Sequence, residues 1–370
     1  MRLLNLLKKF SLISIAMFMI ACGNDDESST TQVSLDESSE KQISVLATTP
    51  MLGEYVKQVA GENIDVQVLM PYAADPHHFE PSPQDVAKIE SADLVFYVGL
   101  KYETAPLLKL LENSSNSNQA LIEIGEKINP IEFKEEGHDE HEGHGHDEDK
   151  EEHGEHGDKD EHEGHGHDED KDKDEHEGHG HDEDKDEHEG HEGHDHGVYD
   201  PHFWFDPTRV ALAVDAIKIE LSNIDPENKD SYETAAKDYK EKLTNLDTET
   251  KNLMATIPSD KRKFITTHEA LGYLEARYDV EVIAAIIPSI TTEDTATPKQ
   301  LVHVIEEIKE HEIKVLFMES ESPTKAAEII AQETGVNLVS GLWVETLQEG
   351  QSYIDFMQSN VNIIAENLKV

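Results

Sequence analysis

Residues 42–70 read QISVLATTPMLGEYVKQVAGENIDVQVLM and contain one complete strand–helix–strand unit. Residues 42–48 and 64–70 are short runs rich in apolar and β-branched residues, which is typical of buried strands. Between them, residues 50–60 place apolar side chains at helical spacing behind a proline, which suits the first turn of a helix. This order predicts two parallel strands joined by a helical crossover.

The same alternation continues along the rest of the chain. Further strands are predicted at residues 93–98, 263–267, 280–287 and 313–317. Further helices are predicted at residues 83–91, 207–221, 298–310, 323–334 and 351–368, and a long, charged one at 229–257. We therefore predict an α/β fold with two (β/α) lobes of mostly parallel strands, residues 41–225 and 258–370. One long, rigid helix within residues 226–257 joins the lobes, and the crevice between them is the expected ligand site.

Residues 138–196 contain only Asp, Glu, His, Gly and Lys. With no apolar residue to bury, this His-rich tract is expected to be a disordered insertion in the first lobe. It holds 16 of the 22 histidines of the chain, and imidazole is a common ligand for zinc, copper and nickel. An acidic, solubilising spacer is the alternative, but a spacer does not need histidine at more than one residue in four. We predict weak auxiliary metal binding by His138, His141, His144, His146, His153, His156, His162, His165, His167, His176, His179, His181, His188, His191, His194 and His196.

The chain is strongly acidic, with a formal charge of −49 over 370 residues. Five lysines against 28 carboxylates leave the His-rich tract at −23, so the remainder is still at −26. Nucleic-acid binding requires a basic face, and we therefore expect none. A negative surface is instead compatible with attracting cations.

The N-terminal end has the composition of a bacterial export signal. Arg2, Lys8 and Lys9 precede the apolar run 10–21, which is too short to cross a bilayer. The run ends in Met-Ile-Ala-Cys-Gly, and this resembles a lipobox, in which Cys22 becomes the lipid-bearing N-terminus. Cys22 is the only cysteine of the chain. We predict a lipoprotein signal at residues 1–22, a polar tether at 23–40 and anchoring on the extracytoplasmic face of a bacterial cell membrane.

Three short motifs place a histidine where a predicted strand gives way to a loop. They are DPHHFEPSP at residues 75–83, DPHFWFDP at 200–207 and HEALGY at 268–273. Prolines stiffen such loops and fix the direction of the side chain. His77, His202 and His268, with Glu345 after the last strand, make a tetrahedral set of nitrogen and oxygen ligands that suits Zn²⁺. Glu319 and Glu321 follow a buried strand, and we predict a structural hydrogen-bonding role for them.

These motifs, in this order, resemble the ZnuA/AdcA family, the zinc-binding lipoproteins that serve metal ABC importers of cluster A-I. The resemblance covers about residues 41–370 and implies that His77, His202 and His268 are the first three metal ligands. The fourth position in the family is a carboxylate or water, and Glu345 matches the carboxylate. Manganese-binding relatives carry glutamate where this chain has His268, so the resemblance favours zinc.

The resemblance also implies the function. We expect a monomeric protein with no enzymatic activity that captures Zn²⁺ with high affinity and delivers it to the permease of an ABC transporter and its ATPase. One alternative is a zinc metallohydrolase, because residues 268–272 begin like the HExxH motif; the fifth residue, however, is Gly272 rather than a second histidine. The other alternative is a surface metal buffer or adhesin, in which the His-rich tract alone binds metal.

Overall fold

The structure is a computed structural model and describes residues 43–114, 119–133 and 199–369. These ranges form eight strands: β1 Ser44–Ala47, β2 Asp65–Val68, β3 Leu94–Tyr97, β4 Ala120–Glu123, β5 Lys263–His268, β6 Glu281–Ile287, β7 Val315–Glu319 and β8 Asn337–Leu342. They also form nine α-helices: α1 Pro50–Ala60, α2 Pro83–Ser91, α3 Ala105–Ser114, α4 Pro207–Ile224, α5 Lys229–Met254, α6 Gly272–Tyr278, α7 Pro298–Glu310, α8 Lys325–Thr334 and α9 Tyr353–Leu368.

The strands form two separate four-stranded sheets, and every pairing within them is parallel. The orders β2-β1-β3-β4 and β6-β5-β7-β8 are equivalent, so each lobe repeats the same topology. The predicted α/β fold with two parallel-sheet lobes is therefore confirmed. Because parallel strands end on one edge of their sheet, the loops that follow them lie together, and those loops carry the site described below.

Side chains alternate between the two faces of each sheet, as the period of a strand requires. On β1, Val45 and Ala47 enter one core whereas Leu46 enters another. On β5, Phe264 and Ile265 are divided in the same way. The inner faces of both sheets share one large core with α1, α4, α5 and α9, while α2 and α3 cover the outer face of the first sheet and α7 and α8 that of the second.

Helix α5 corresponds to the long helix predicted at residues 229–257, and it ends at Met254. Its buried residues include Tyr232, Leu243 and Leu246, and it packs against α1, α4 and α9. The helix thus lies in the helical layer between the sheets. The division of the chain into domains at residues 226–257 stays a prediction.

Four elements were missing from the sequence prediction: α3, β4, α6 and β8. Strands β4 and β8 each lie at the edge of a sheet, and β4 has no fully buried residue. Strand β8 contains Asn337, Ser340 and Gly341, which interrupt the apolar run expected of a strand. Helix α6 has only 7 residues, too few to show a helical period.

The predicted signal and lipobox at residues 1–22, the tether at 23–40 and the His-rich tract at 138–196 lie outside the described residues. Within the part of the chain that the structure describes, no helix combines the length and the apolar character needed to span a bilayer.

Candidate metal centre

The structure brings His77, His202, His268 and Glu345 together at the edge where the two lobes face each other. One ligand atom from each lies within 4.8 Å of the others. All four residues are buried, with at most 3% of their surface exposed. His77 comes from the first lobe, where it lies in a 3-10 turn after β2. His268 and Glu345 come from the second lobe, at the end of β5 and after β8.

His77 is oriented by the turn that its own motif forms. The Asp75 carboxylate accepts a hydrogen bond from the His77 backbone N–H at 3.0 Å, and Pro76 occupies the first position of the turn. The other carboxylate oxygen of Asp75 accepts a hydrogen bond from the Thr292 hydroxyl at 2.6 Å. Since Thr292 follows β6, this bond joins the His77 loop to the opposite lobe.

His202 and His268 each meet a buried carboxylate through Nδ1. Asp200 Oδ1 lies 2.8 Å from Nδ1 of His202 and also accepts from its backbone N–H at 2.8 Å. Glu319 Oε2 lies 2.6 Å from Nδ1 of His268. A carboxylate that accepts from Nδ1–H leaves Nε2 as the metal-binding nitrogen and fixes the plane of the ring. In both residues, Nε2 faces Glu345.

The four groups are close enough together to hold one divalent metal ion. Glu345 Oε1 lies 3.6 Å from His77 Nε2, 3.0 Å from His202 Nε2 and 2.7 Å from His268 Nε2. Zinc bonds to nitrogen and oxygen of about 2.0–2.2 Å correspond to ligand separations of about 3.3 Å across a tetrahedron. Among the described residues, His77 Nε2, His202 Nε2 and Glu345 Oε2 are buried side-chain atoms without hydrogen-bond geometry to any partner. Buried polar atoms of this kind require a partner, and a cation provides one.

The imidazoles and the carboxylates of the site shift each other's pKa. Burial alone would lower the pKa of His202, but the nearby Glu345 and Asp200 carboxylates outweigh burial and raise this pKa to about 9. Burial acts in the same direction on His268, where Glu319 and Glu345 together raise the pKa well above its usual value. For Glu345, burial opposes ionisation, yet His202 and His77 hold the pKa well below its ordinary range. Protons on the imidazoles therefore compete with a metal cation for this site.

Two aromatic side chains form one wall of the site and also connect the lobes. The ring of Tyr102 lies 5.2 Å from that of His77, and its hydroxyl donates to the backbone oxygen of Glu345 at 3.1 Å. The ring of Trp204 lies 5.4 Å from that of His202, and its Nε1–H donates to the Val344 oxygen at 2.7 Å. Tyr102 was not among the residues predicted from the sequence, and its only signal there is its place just after strand β3.

The remaining candidate residues are not among the four ligands. The side chain of His78 is 59% exposed and points away from the centre, and Cys22 and the sixteen histidines of the His-rich tract lie outside the described residues. The predicted hydrogen-bonding role of Glu319 and Glu321 is confirmed, because Glu321 accepts from two backbone amides beside Glu345. Burial and the neighbouring Glu319 carboxylate raise the pKa of Glu321 to about 8.

The HExxH alternative does not match the local structure. His268 is the last residue of strand β5, and α6 begins only at Gly272, so His268 and Glu269 do not lie on one helix. In the HExxH motif the two histidines bind zinc from one face of a single helix.

Comparison with known proteins shows the same fold and the same class of protein. The family model described as "Zinc-uptake complex component A periplasmic", ZnuA, matches residues 45–367. The manganese ABC transporter substrate-binding lipoprotein PsaA of Streptococcus pneumoniae is 27% identical over 361 residues, which covers 95% of each chain. The metal ABC transporter substrate-binding lipoprotein FimA of Streptococcus parasanguinis is 25% identical and covers 88% of this chain and 89% of its own.

Two solved structures share the architecture. The periplasmic zinc-binding protein TroA of Treponema pallidum aligns with a TM-score of 0.68 at 18% identity, covering 89% of this chain and all of TroA. The manganese-bound periplasmic metal-binding protein of Candidatus Liberibacter asiaticus aligns with a TM-score of 0.65 at 21% identity, over 88% of this chain and all of that one. The family match over nearly the whole described body identifies this chain as a member of the ZnuA family, the substrate-binding proteins of metal ABC transporters, and as a binding protein rather than an enzyme.

Proposed function

We propose that this protein captures Zn²⁺ outside the membrane with His77, His202, His268 and Glu345 and delivers it to an ABC permease. The observation that carries the proposal is the convergence of these four buried ligand atoms within 4.8 Å of one another. Three imidazoles and one carboxylate complete a tetrahedral shell. The Asp200 and Glu319 carboxylates behind two of the rings are the outer partners that such a metal site requires.

The donor set favours zinc over manganese. Imidazole nitrogen suits zinc, whereas manganese prefers oxygen donors, and divalent zinc binds such sites more tightly than divalent manganese. Manganese is the second candidate, because the name of the PsaA relative specifies that metal. A competition titration at pH 7 with both metals decides between them, and equal or tighter manganese binding contradicts the zinc proposal.

The N-terminus and the relatives support a proposed place for the protein in the cell. Cleavage before Cys22 and lipidation of its thiol would anchor the protein to the extracytoplasmic face of the cell membrane, and the names of the PsaA and FimA relatives describe lipoproteins. A substrate-binding component works with a permease and an ATPase, which are the proposed partners. Mass spectrometry of the membrane-extracted protein tests the proposed lipid on Cys22.

The His-rich tract at residues 138–196 is proposed to bind additional zinc weakly and to hold it near the metal centre. Each metal bound there must order backbone, at about 1–2 kcal/mol for each residue that is fixed. The metal centre is already ordered in the folded body, so it should win zinc from the tract at equilibrium. If the tract instead held the tightest site, the protein would be a surface metal buffer.

Single alanine substitutions test the ligand assignment. His77→Ala, His202→Ala and His268→Ala should each lower zinc affinity at least about tenfold, which corresponds to about 1.4 kcal/mol, because no other residue of the site replaces the lost nitrogen. His303→Ala is the matched control, since His303 is exposed on α7. Competition against a zinc chelator measures the affinities, and unchanged affinity in all three site variants contradicts the assignment.

A further inference from the structure

One short segment at the end of β7 contacts both candidate ligands of the second lobe. Glu319 meets the ring of His268 at 2.6 Å, and the Ser320 N–H donates to the Leu342 oxygen at 2.8 Å, which extends the pairing of β7 with β8. Glu321 then turns towards the loop that carries Glu345. The strand end therefore holds two carboxylates, and each is directed at a different candidate ligand.

The contact made by Glu321 is with backbone rather than with a side chain. Its Oε1 accepts from the N–H of Val344 and from the N–H of Glu345, both at 2.6 Å. Two consecutive amides that donate to one carboxylate oxygen are fixed in direction, because both N–H groups must point at the same atom. The peptide that leads into Glu345 is consequently held at its nitrogen side.

The carbonyl side of the same segment is held from the other lobe. The Val344 oxygen accepts from Trp204 and the Glu345 oxygen accepts from Tyr102. Among the described residues, three side chains thus bond to the backbone of residues 344 and 345, and of these Glu321 alone comes from the same lobe as Glu345. The side chain of Glu345 begins at this fixed backbone, and its carboxylate must reach three imidazoles at 2.7–3.6 Å. A small rotation of the 344–345 peptide would carry the carboxylate away from at least one of them.

We propose that Glu321 is a positioning residue that holds the Glu345 carboxylate in the metal centre by fixing the peptide between Val344 and Glu345. This inference rests on the proposed zinc function, because it assumes that Glu345 binds the metal. Glu321 does not belong to the group of four ligand atoms, so in this proposal it acts on zinc through the backbone N–H of Glu345. A purely structural role would instead stabilise the loop whatever residue stands at position 345.

A double-mutant cycle on the full chain separates the two roles. Zinc affinity is measured by chelator competition for Glu321→Ala and Glu321→Gln, each in the wild-type background and together with Glu345→Gln. Glu321→Ala should weaken zinc binding about tenfold in the wild-type background and less than about twofold beside Glu345→Gln, since the two residues act as one unit. Glu321→Gln keeps an oxygen that accepts from both amides and should stay within about threefold of the wild type.

Glu321→Asp keeps the carboxyl group but shortens the side chain, so it should behave like Glu321→Ala. It replaces the alanine variant if that variant does not fold. Glu328→Ala, at an exposed position on α8, is the matched control. Equal losses in both backgrounds, or no loss for Glu321→Ala and Glu321→Asp, would overturn the inference. If Glu345→Gln left tight zinc binding unchanged, the inference about Glu321 would also be overturned, but the zinc function would stand. If the wild-type protein did not bind zinc tightly, the proposed function itself would be contradicted.

Discussion

Replacing Asp200 by asparagine isolates the charge behind one candidate zinc ligand. Asp200 is 3% exposed, and its Oδ1 accepts from the backbone N–H and from Nδ1–H of His202, both at 2.8 Å. Asparagine has nearly the same size and keeps one accepting oxygen, but it has no negative charge. A change in zinc affinity therefore reports on the charge of the hydrogen bond rather than on lost volume.

The expected loss of zinc affinity in Asp200→Asn can be estimated from these two hydrogen bonds. Only the bond to Nδ1 orients the imidazole, and a charge-assisted hydrogen bond is roughly twice as strong as a neutral one. Outer carboxylates on metal-binding histidines contribute about 10–100-fold to metal affinity. Because the asparagine side chain would retain a neutral hydrogen bond, we expect zinc affinity to fall by the lower end of that range, about tenfold or about 1.4 kcal/mol.

The measurement is a zinc titration in competition with a chelator at pH 7, together with the circular dichroism of the metal-free proteins. Asp238→Asn is the control, because Asp238 is exposed on α5 and has no part in the site. If Asp200→Asn bound zinc as tightly as the wild type while folding normally, the carboxylate would not be orienting a zinc ligand, and the reasoning would be refuted.

Three further predictions test other parts of the molecule. Asp247 accepts two hydrogen bonds from the Arg277 guanidinium. Burial alone would raise the pKa of Asp247, but Arg277 helps to lower it. The ionised Asp247 therefore stabilises the fold above about pH 4, and this stabilisation is lost as the pH falls through the lowered pKa. Asp247→Asn should cost about 1–2 kcal/mol in the free energy of unfolding at pH 7 and less in acid, as measured by urea denaturation. Thr292→Val removes the hydrogen bond that joins Thr292 to Asp75 across the lobes, so zinc should dissociate roughly fivefold faster in stopped-flow chelation. An unchanged dissociation rate would show that this bond does not restrain zinc release. Deleting residues 138–196 should lower zinc stoichiometry in calorimetry but leave one tight site; loss of the tightest site with the tract would reverse their roles.

Helix starts were predictable where a proline marks them. Helices α1, α2, α4 and α7 begin at Pro50, Pro83, Pro207 and Pro298, as predicted from the sequence. The fixed φ of proline and its missing N–H suit the first helical turn, so the signal is local and strong. The start of α8 at Lys325 differs from the predicted start at Pro323, because Thr324 caps the helix there.

The candidate site was only partly visible in the sequence. His77 and His202 stand in motifs whose Asp-Pro-His order already contains the orienting aspartate, and both contacts are local in the chain. The bond from Tyr102 to Glu345 joins residues 243 positions apart, and no local pattern marks it. Likewise, the position of Glu321 after a strand predicted a hydrogen-bonding role, but its partners follow only from the pairing of β7 with β8.

The proposed zinc centre is tested most directly by anomalous diffraction at the zinc edge, on crystals of the full chain loaded with one equivalent of Zn²⁺. The account predicts one dominant peak within about 2.0–2.2 Å of Nε2 of His77, His202 and His268 and of the Glu345 carboxylate. A dominant peak away from these four residues would contradict it.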